Sequence, residues 1–550
     1  MLKGLNPEKI FRDLSIFKII IFFIIFLICL RIIEQLFGNF YDWDIDHLIY
    51  YGGRLLEGEL NYTKEFDDKL PIMQYLFLIP AYLKNNKIWT LFSITLSILS
   101  SKSIYKFLMR IFKLDWKLTE KINTKKIAFS SAIIYLFLLS SLQGSFSHIN
   151  AVATSFSILS ITTYFNNAEN NLKNIEIKKK FFPALLASFA ISMRPYFLPS
   201  ILLTVVWHHF RSRNFFKKIL VGENLKILLK NLIIYTLLIA FFGFLINCLP
   251  YIFTGNLKNL FKGIYLNSLP LHPTWTLYIL KVQLQLFFSQ GNIQNLIYLS
   301  FLFPFIIICS EFIKIKDSKF KYSLTNTDLI FVGVLSPLLV ELVILSKHFW
   351  PHYLQFFSGY ASISLGFSLA IIKSASVNNL EFKILKSNKI FFNIFLITLL
   401  IFIGRGELSS SGLKLLNNTN NSHPKYKELL EVRNFLDSRR NTNKKTDFLF
   451  PRSMYVHWNL KEPRRGFPSA AHFNFSYFGY WENIKMGIFD EEDYSKDGIC
   501  KMMIKYGPSI FFAYENSVEY KCFDQNNSRL NKKILNTKNR LKHSLYVFFR

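Results

Sequence analysis

Ile19 to Leu30 reads IIIFFIIFLICL. No charge interrupts it, and extended to Phe17–Phe37 it approaches the roughly 20 residues a helix needs to cross a bilayer. Comparable blocks recur along the 550 residues, of which 51% are hydrophobic and 17% aromatic, with Phe alone at 59. A chain this apolar is not intrinsically disordered. Its apolar residues come in blocks rather than at core-like intervals, which argues against one soluble domain. The fold class this predicts is an α-helical polytopic membrane protein.

Lys+Arg total 66 against Asp+Glu 36, so the chain carries 66 − 36 = +30. The cations sit mainly in short loops between apolar blocks. This is the positive-inside distribution of a membrane protein rather than a nucleic-acid-binding patch. Lys3, Lys9 and Arg12 precede the first block, which is longer than a signal-peptide core and lacks a small-residue cleavage site after it. The reading is an uncleaved first helix with the N-terminus in the cytoplasm.

Loop charge then orients the later blocks. Gly38 to about Lys69 is rich in acid and is placed outside; residues 38–87 form a first outer loop with Pro71–Leu83 as a re-entrant or interfacial helix. Ile88–Leu108 runs inward to a dense basic loop, Ile127–Ser145 outward and Phe146–Phe165 inward. Phe181–Trp207 has lysines before it and Arg211 and Arg213 after it, and Pro195 and Pro199 break its middle. It is therefore expected to turn back as a hairpin, with Arg194 deep in the protein or near its outer surface. Leu225–Phe253, Ile293–Ile313, Leu329–Leu345, Trp350–Ile372 and Ile390–Ile403 complete about nine crossings, or eleven if both hairpin arms cross. Thr254–Gln290 reads as an outer loop. Residues 1–404 are thus a multi-pass membrane domain, and residues 405–550 a small extracytoplasmic α/β or α+β domain. In that tail, Tyr426–Leu436 has the pattern of an amphipathic helix, while Asp447–Trp458 and Pro508–Tyr514 have that of strands. Cys29, Cys248 and Cys309 fall in apolar blocks; Cys500 and Cys522 lie in the tail, where a disulfide between them is open.

Four stretches can carry chemistry. In YDWDIDHLIYYGGRLLEGELNY (41–62), Asp44 and Asp46 stand just past the first span, among Tyr41, Trp43, Tyr50 and Tyr51. A carboxylate there can serve as a general base if it reaches the proton it removes; simple solvation is the alternative. In FDDKLPIMQYLF (66–77), Lys69 can hold a lipid phosphate as a point charge, or snorkel to headgroups. In SMRPYFLP (192–199), Arg194 requires an anion or a buried carboxylate as partner. In KHFWPHYLQFF (347–357), His352, Tyr353 and Gln355 can line a polar cavity or join an interfacial aromatic belt. His148 and Asn150 are weaker candidates near another outer helix end.

These residues carry a resemblance. An acid after the first helix, then Tyr50-x-x-x-Arg54-Leu55-Leu56-Glu57-Gly58-x-x-x-Tyr62, then Asp68-Lys69-x-Pro71 opening an apolar helix, resembles the GT-C glycosyltransferases. The bacterial group that includes aminoarabinose transferase and protein O-mannosyltransferase relatives is the branch it is most similar to. The HYLQFF run at His352 and RGFPSAAHF (465–473) resemble late parts of the same group. His47 stands where many relatives carry a second acid, and Leu70 replaces a first proline.

The resemblance implies an inverting hexosyl- or pentosyltransferase of the plasma (inner) membrane. Its donor would be a polyprenyl-phosphate sugar, and its acceptor an extracytoplasmic glycolipid, polysaccharide or protein; nucleic acid is not expected as a partner. It implies Asp46 as base, with Asp44 as substitute. Lys69, Arg194, Arg54 and His352 would bind the donor phosphate, and Tyr50, Tyr62 and Tyr353 would line the substrate cavity. It makes no cofactor certain; a divalent metal, if one binds, falls to Asp44 and Asp46. The competing classes are a transporter or flippase of lipid-linked glycans and a polysaccharide polymerase or ligase.

Overall fold

The computed structural model describes residues 16–37, 43–63, 70–83, 85–116, 118, 123–141, 146–167, 176–211, 222–268, 301, 304, 324–345 and 351–377. In the C-terminal part it describes 431–432, 434–435, 438, 448–449, 510–515, 520–521, 524, 531–538 and 544–549. The described chain is mostly helical with a small C-terminal sheet. It divides into two compact units. The first comprises Met1–Ile33, Phe92–Gly243 and Thr274–Asn417; the second comprises Glu34–Leu91, Phe244–Pro273 and Asn418–Arg550.

Helix α1 is Ile16–Phe37. The acidic stretch predicted as loop contains α2, Trp43–Leu56, followed by two short helices, α3 Ile72–Leu76 and α4 Leu78–Tyr82, where one interfacial helix is expected from the sequence. Helices α5 Asn86–Arg110, α6 Thr124–Ser141 and α7 Ile149–Asn167 follow the predicted spans closely. Next come α8 Ile177–Met193, a 3₁₀ turn at Pro195–Phe197, and α9 Leu198–Phe210. Helix α10 is Gly222–Phe253, and α11 Leu257–Ser268 falls inside the segment predicted as outer loop. Helices α12 Leu324–Ile330 and α13 Ser336–Leu345 are joined by a π-helical turn at Phe331–Leu335. A 3₁₀ stretch at Pro351–Phe357 leads into α14, Ser358–Val377. The predicted span Ile390–Ile403, nearly all of Ile293–Ile313, and RGFPSAAHF lie outside the described residues.

Among the described residues, four segments are long and apolar enough to cross a membrane: Ile20–Phe37, Leu225–Phe253, Thr327–Ile344 and Tyr353–Ile371. The side-chain pattern of α10 shows how such a helix is used. Leu225, Leu229, Ile233, Leu237, Phe241 and Phe244 are exposed along one stripe, while Leu228, Asn231, Tyr235 and Ile239 are buried along another. A continuous apolar stripe facing outward is unfavourable in water and suits lipid. Helix α1 repeats the pattern, with Phe22, Phe26 and Ile33 outward and Ile20, Ile24 and Leu27 inward.

The interior of unit 1 mixes small polar residues with its aliphatic and aromatic ones. Ser93, Ser97, Ser100 and Ser101 of α5 are buried against α6 and α7. Ser100 Oγ donates to the Ser155 carbonyl at 3.0 Å, Ser101 Oγ to the Ala132 carbonyl at 2.8 Å, and the Tyr135 hydroxyl meets Ser155 Oγ at 2.9 Å. Short side chains let helix backbones approach, and their hydroxyls bond across the gap, which is how helices associate in lipid.

In unit 2, α2 lies against the α3–α4 turn. A Cβ at Gly52 would come within 2.6 Å of the Phe77 carbonyl carbon, so only glycine permits this approach. Gly52→Ala should lower stability by about 1–3 kcal/mol through overpacking, despite alanine's better helix propensity. Thermal unfolding in detergent reads this directly, and an unchanged or raised midpoint would contradict the packing.

The C-terminal sheet has strand order β1-β2-β4-β3, with β1 Phe448–Leu449, β2 Ile510–Tyr514, β3 Asn531–Lys538 and β4 Ser544–Phe549. β1 and β2 are parallel and the other pairs antiparallel. The predicted strand in PSIFFAY is β2, whose Phe512 is buried beneath Phe435, ring centroids 6.0 Å apart. Lys532 on β3 lies 4.6 Å from the Tyr520 ring centre and 4.7 Å from that of Tyr546, and bonds Asp524 at 2.7 Å. Partial burial works against its charge, but hydrogen bonds to Asp524 and Tyr520 outweigh that and hold its pKa above the ordinary lysine value.

Candidate functional site

The sequence candidates divide between the two units. In unit 2, Asp44 and Asp46 occupy the first turn of α2, where a helix N-terminus favours negative charge. Positions two apart on a helix lie about 200° from each other. Positions 44 and 46 therefore fall on opposite flanks of the buried stripe of Ile45, Leu48, Ile49 and Gly52. Positions 46 and 50 are four apart and share a face. The side chains of Asp44, Asp46 and Tyr50, and the whole of Lys69, lie outside the described residues. Among the described residues, no group of three or more His, Cys, Asp or Glu could hold a metal ion.

The rest of the motif has clear structural work. Arg54 is buried at the C-terminal end of α2 and ion-paired to Glu57 at 2.6 Å and to Glu59. Gly58 has φ +82°, which closes the turn between those two glutamates. Gln74 of α3 then ties the pieces together. Its amide donates to the carbonyls of Tyr51 at 3.0 Å and Glu59 at 2.8 Å, and its oxygen accepts from the Asn61 N–H at 2.9 Å. Tyr62, at φ +65°, packs with Leu60, Tyr251 and Leu260, and its ring crowds Gly263 of α11. The Tyr251 hydroxyl donates to the Asn61 carbonyl at 2.6 Å. Arg54 and Tyr62 are thus parts of a compact folded turn. A donor phosphate at Arg54 would have to compete with two carboxylates already in place.

In unit 1, candidates far apart in sequence come together. The α8–α9 segment is a hairpin, as the flanking charges predict. Lys180, near the start of α8, donates to Asn231 Oδ1 at 2.6 Å, and the Asn231 amide meets His209 Nε2, near the end of α9, at 3.0 Å. The two ends of the segment therefore return to one residue. Arg194 sits at the opposite end, where Met193 ends α8 and Pro195 opens the 3₁₀ turn. Helix α7 runs antiparallel to α8: Asn167 at its end bonds the Lys179 carbonyl at 2.9 Å, and Asn150 at its start meets Arg194.

Arg194 is buried, and its Nε donates to Asn150 Oδ1 at 2.7 Å. Its guanidinium carbon stands 6.0 Å from the centre of the Tyr353 ring. His148 Nδ1 accepts from the Asn150 N–H at 3.1 Å and so fixes the start of α7. Tyr196 lies between Tyr353 and Phe356, with centroids at 5.5 and 5.4 Å. Gln355 donates to the Leu139 carbonyl at 3.0 Å. One end of the bundle thus holds a cation oriented by a neutral amide and an aromatic face. A guanidinium in such surroundings suits an anion. The side chain of His352, one residue before Tyr353, lies outside the described residues.

A second charged cluster escaped the sequence reading. Asp328, fully buried, accepts from Trp116 Nε1 and Trp207 Nε1, both at 2.8 Å, and from Arg211 Nε at 2.6 Å. Arg211 also pairs with Asp115 at 2.9 Å. The available signal was a single acid at the head of an apolar block, one residue before the predicted span. No family model matches the chain, and neither does any curated protein.

Proposed function

We propose that the chain is a membrane glycosyltransferase that moves a sugar from a polyprenyl-phosphate donor to an extracytoplasmic acceptor. The observation that carries this reading is the meeting of Arg194, Asn150 and Tyr353 at the end of unit 1 opposite Lys178–Lys180. A fixed guanidinium at that end suits the charge that develops on a leaving lipid phosphate. In the reaction, the bond from the anomeric carbon to the phosphate oxygen breaks, and the lipid phosphate keeps the electron pair. The acceptor oxygen bonds to the same carbon from the opposite face and gives its proton to Asp46. A GT-C-like arrangement of nine to eleven crossings and an outer-face location for α2 belong to the same proposal.

The test is release of polyprenyl phosphate, with matching transfer of the sugar, by the purified protein in nanodiscs. Movement of intact donor across the bilayer without its cleavage would favour a flippase instead. Lys69→Ala removes one charge-assisted contact, worth about 1.5–3 kcal/mol. It should raise the donor concentration for half-maximal rate about ten- to hundredfold. An unchanged donor dependence would remove Lys69 from the site.

A further inference from the structure

The other end of the hairpin holds a charge with no carboxylate partner among the described residues. Lys180 is 1% exposed, and its hydrogen-bond partner among the described residues is the neutral amide of Asn231. A buried ammonium requires compensation, and its position aggravates the need. Lys178, Lys179 and Lys180 all lie in the first turn of α8, where the helix dipole is positive. Among the described residues, Asp115 and Asp328 both pair with Arg211 and not with Lys180. Two further polar atoms at this level lack partners among the described residues: His208 Nδ1 and the Tyr164 hydroxyl. Their side chains are buried, at 9% and 1% exposure for the respective residues.

These groups form one continuous cluster. The rings of Tyr164 and His208 meet edge to face at 6.0 Å, and those of His208 and His209 at 5.7 Å. His209 shares Asn231 with Lys180. The cluster draws on α7, α8 and α9, and lies one turn from the exposed residues Glu176, Ile177 and Lys178. An ammonium with bonding capacity to spare, a phenol, and an imidazole that donates from Nδ1 in its Nδ1–H tautomer offer donors from three helices. That suits an anion with several oxygens.

We propose that Lys180, His208 and Tyr164 form a phosphate-binding site at the lysine-bearing end of the α8–α9 hairpin, occupied by a lipid headgroup or by free phosphate. This site is separate from the Arg194 end and does not depend on the glycosyltransferase reading.

The test uses the full chain in phosphatidylcholine nanodiscs. Inorganic phosphate is titrated in one arm, and phosphatidylglycerol replaces part of the lipid in the other, with the thermal unfolding midpoint as readout. Ligand binding to the folded state raises the midpoint. A rise in the first arm identifies free phosphate, and a rise in the second alone identifies a lipid headgroup. Lys180→Met should weaken the effective affinity at least tenfold, and Lys180→Arg should retain it. Should Lys180→Met not fold, Tyr164→Phe serves the same comparison, because it deletes one hydroxyl and keeps the ring; its affinity should fall severalfold. Failure of both arms to stabilise the native protein, or equal stabilisation of the variants, overturns the site.

Discussion

Asp46→Asn should lower sugar transfer by about 10²–10⁴, the range over which general acid–base groups act. The substitution exchanges one oxygen for an amide nitrogen of nearly the same size, so packing around α2 is preserved while proton acceptance is lost. The acid stands in the first turn of α2, on the face shared with position 50 and away from that of Asp44. Asp44→Asn should therefore cost much less. The paired measurement is donor-dependent turnover of the two variants, with unfolding midpoints as a control for folding. Near-normal turnover in Asp46→Asn rejects the base assignment, and a large loss in Asp44→Asn alone transfers the role to Asp44.

Asp328→Ala should destabilise unit 1 by about 3–5 kcal/mol, the typical result of removing one partner from a buried ion pair. The carboxylate accepts from two indole N–H groups and from Arg211, and it joins the end of α9, the π turn after α5 and the start of the α12–α13 region. Alanine would leave the Arg211 guanidinium with Asp115 alone and strand both indoles. Asp328→Asn keeps an acceptor and should cost less. Denaturation in detergent measures each step. A loss below about 1 kcal/mol for Asp328→Ala would mean that the cluster contributes little to holding these helices together.

The helices were legible where a single physical signal dominated. The unbroken apolar run of α1 and the basic flanks and prolines around Arg194 sufficed for a membrane helix and for the reversal of the α8–α9 segment. The acidic stretch at 43–56 reads as part of a polar outer loop, but the aromatic residues beside the acids suit a helix more than a floppy loop, and a helix is present there with Ile45, Leu48, Ile49 and Gly52 as its buried stripe. Helix α11 stays hidden among lysines and asparagines.

Site residues followed a similar division. Arg194 was legible because a guanidinium in an apolar block demands a partner, and Asn150 and Tyr353 emerged only as separate minor candidates. The loop charges imply that α7 and α8 run antiparallel, but no local pattern encodes that their ends meet Tyr353. Arg54 and Tyr62 were read as ligand groups through a motif, whereas in the folded chain their partners are Glu57, Glu59 and the Tyr251–Leu260 cluster. Lys180 was counted as a loop cation, since burial of a lysine cannot be inferred from its neighbours in sequence.

The wide turn at Phe331–Leu335 has a geometric effect. Asp328, Val332, Ser336, Val340 and Ile344 are all buried, at a constant spacing of four. In an unbroken α-helix, each such step drifts by about 40°, so the ends of the series would lie on nearly opposite faces. The slower winding of the π segment takes up part of this drift. It brings the carboxylate at one end and the aliphatic residues at the other into phase along a single seam.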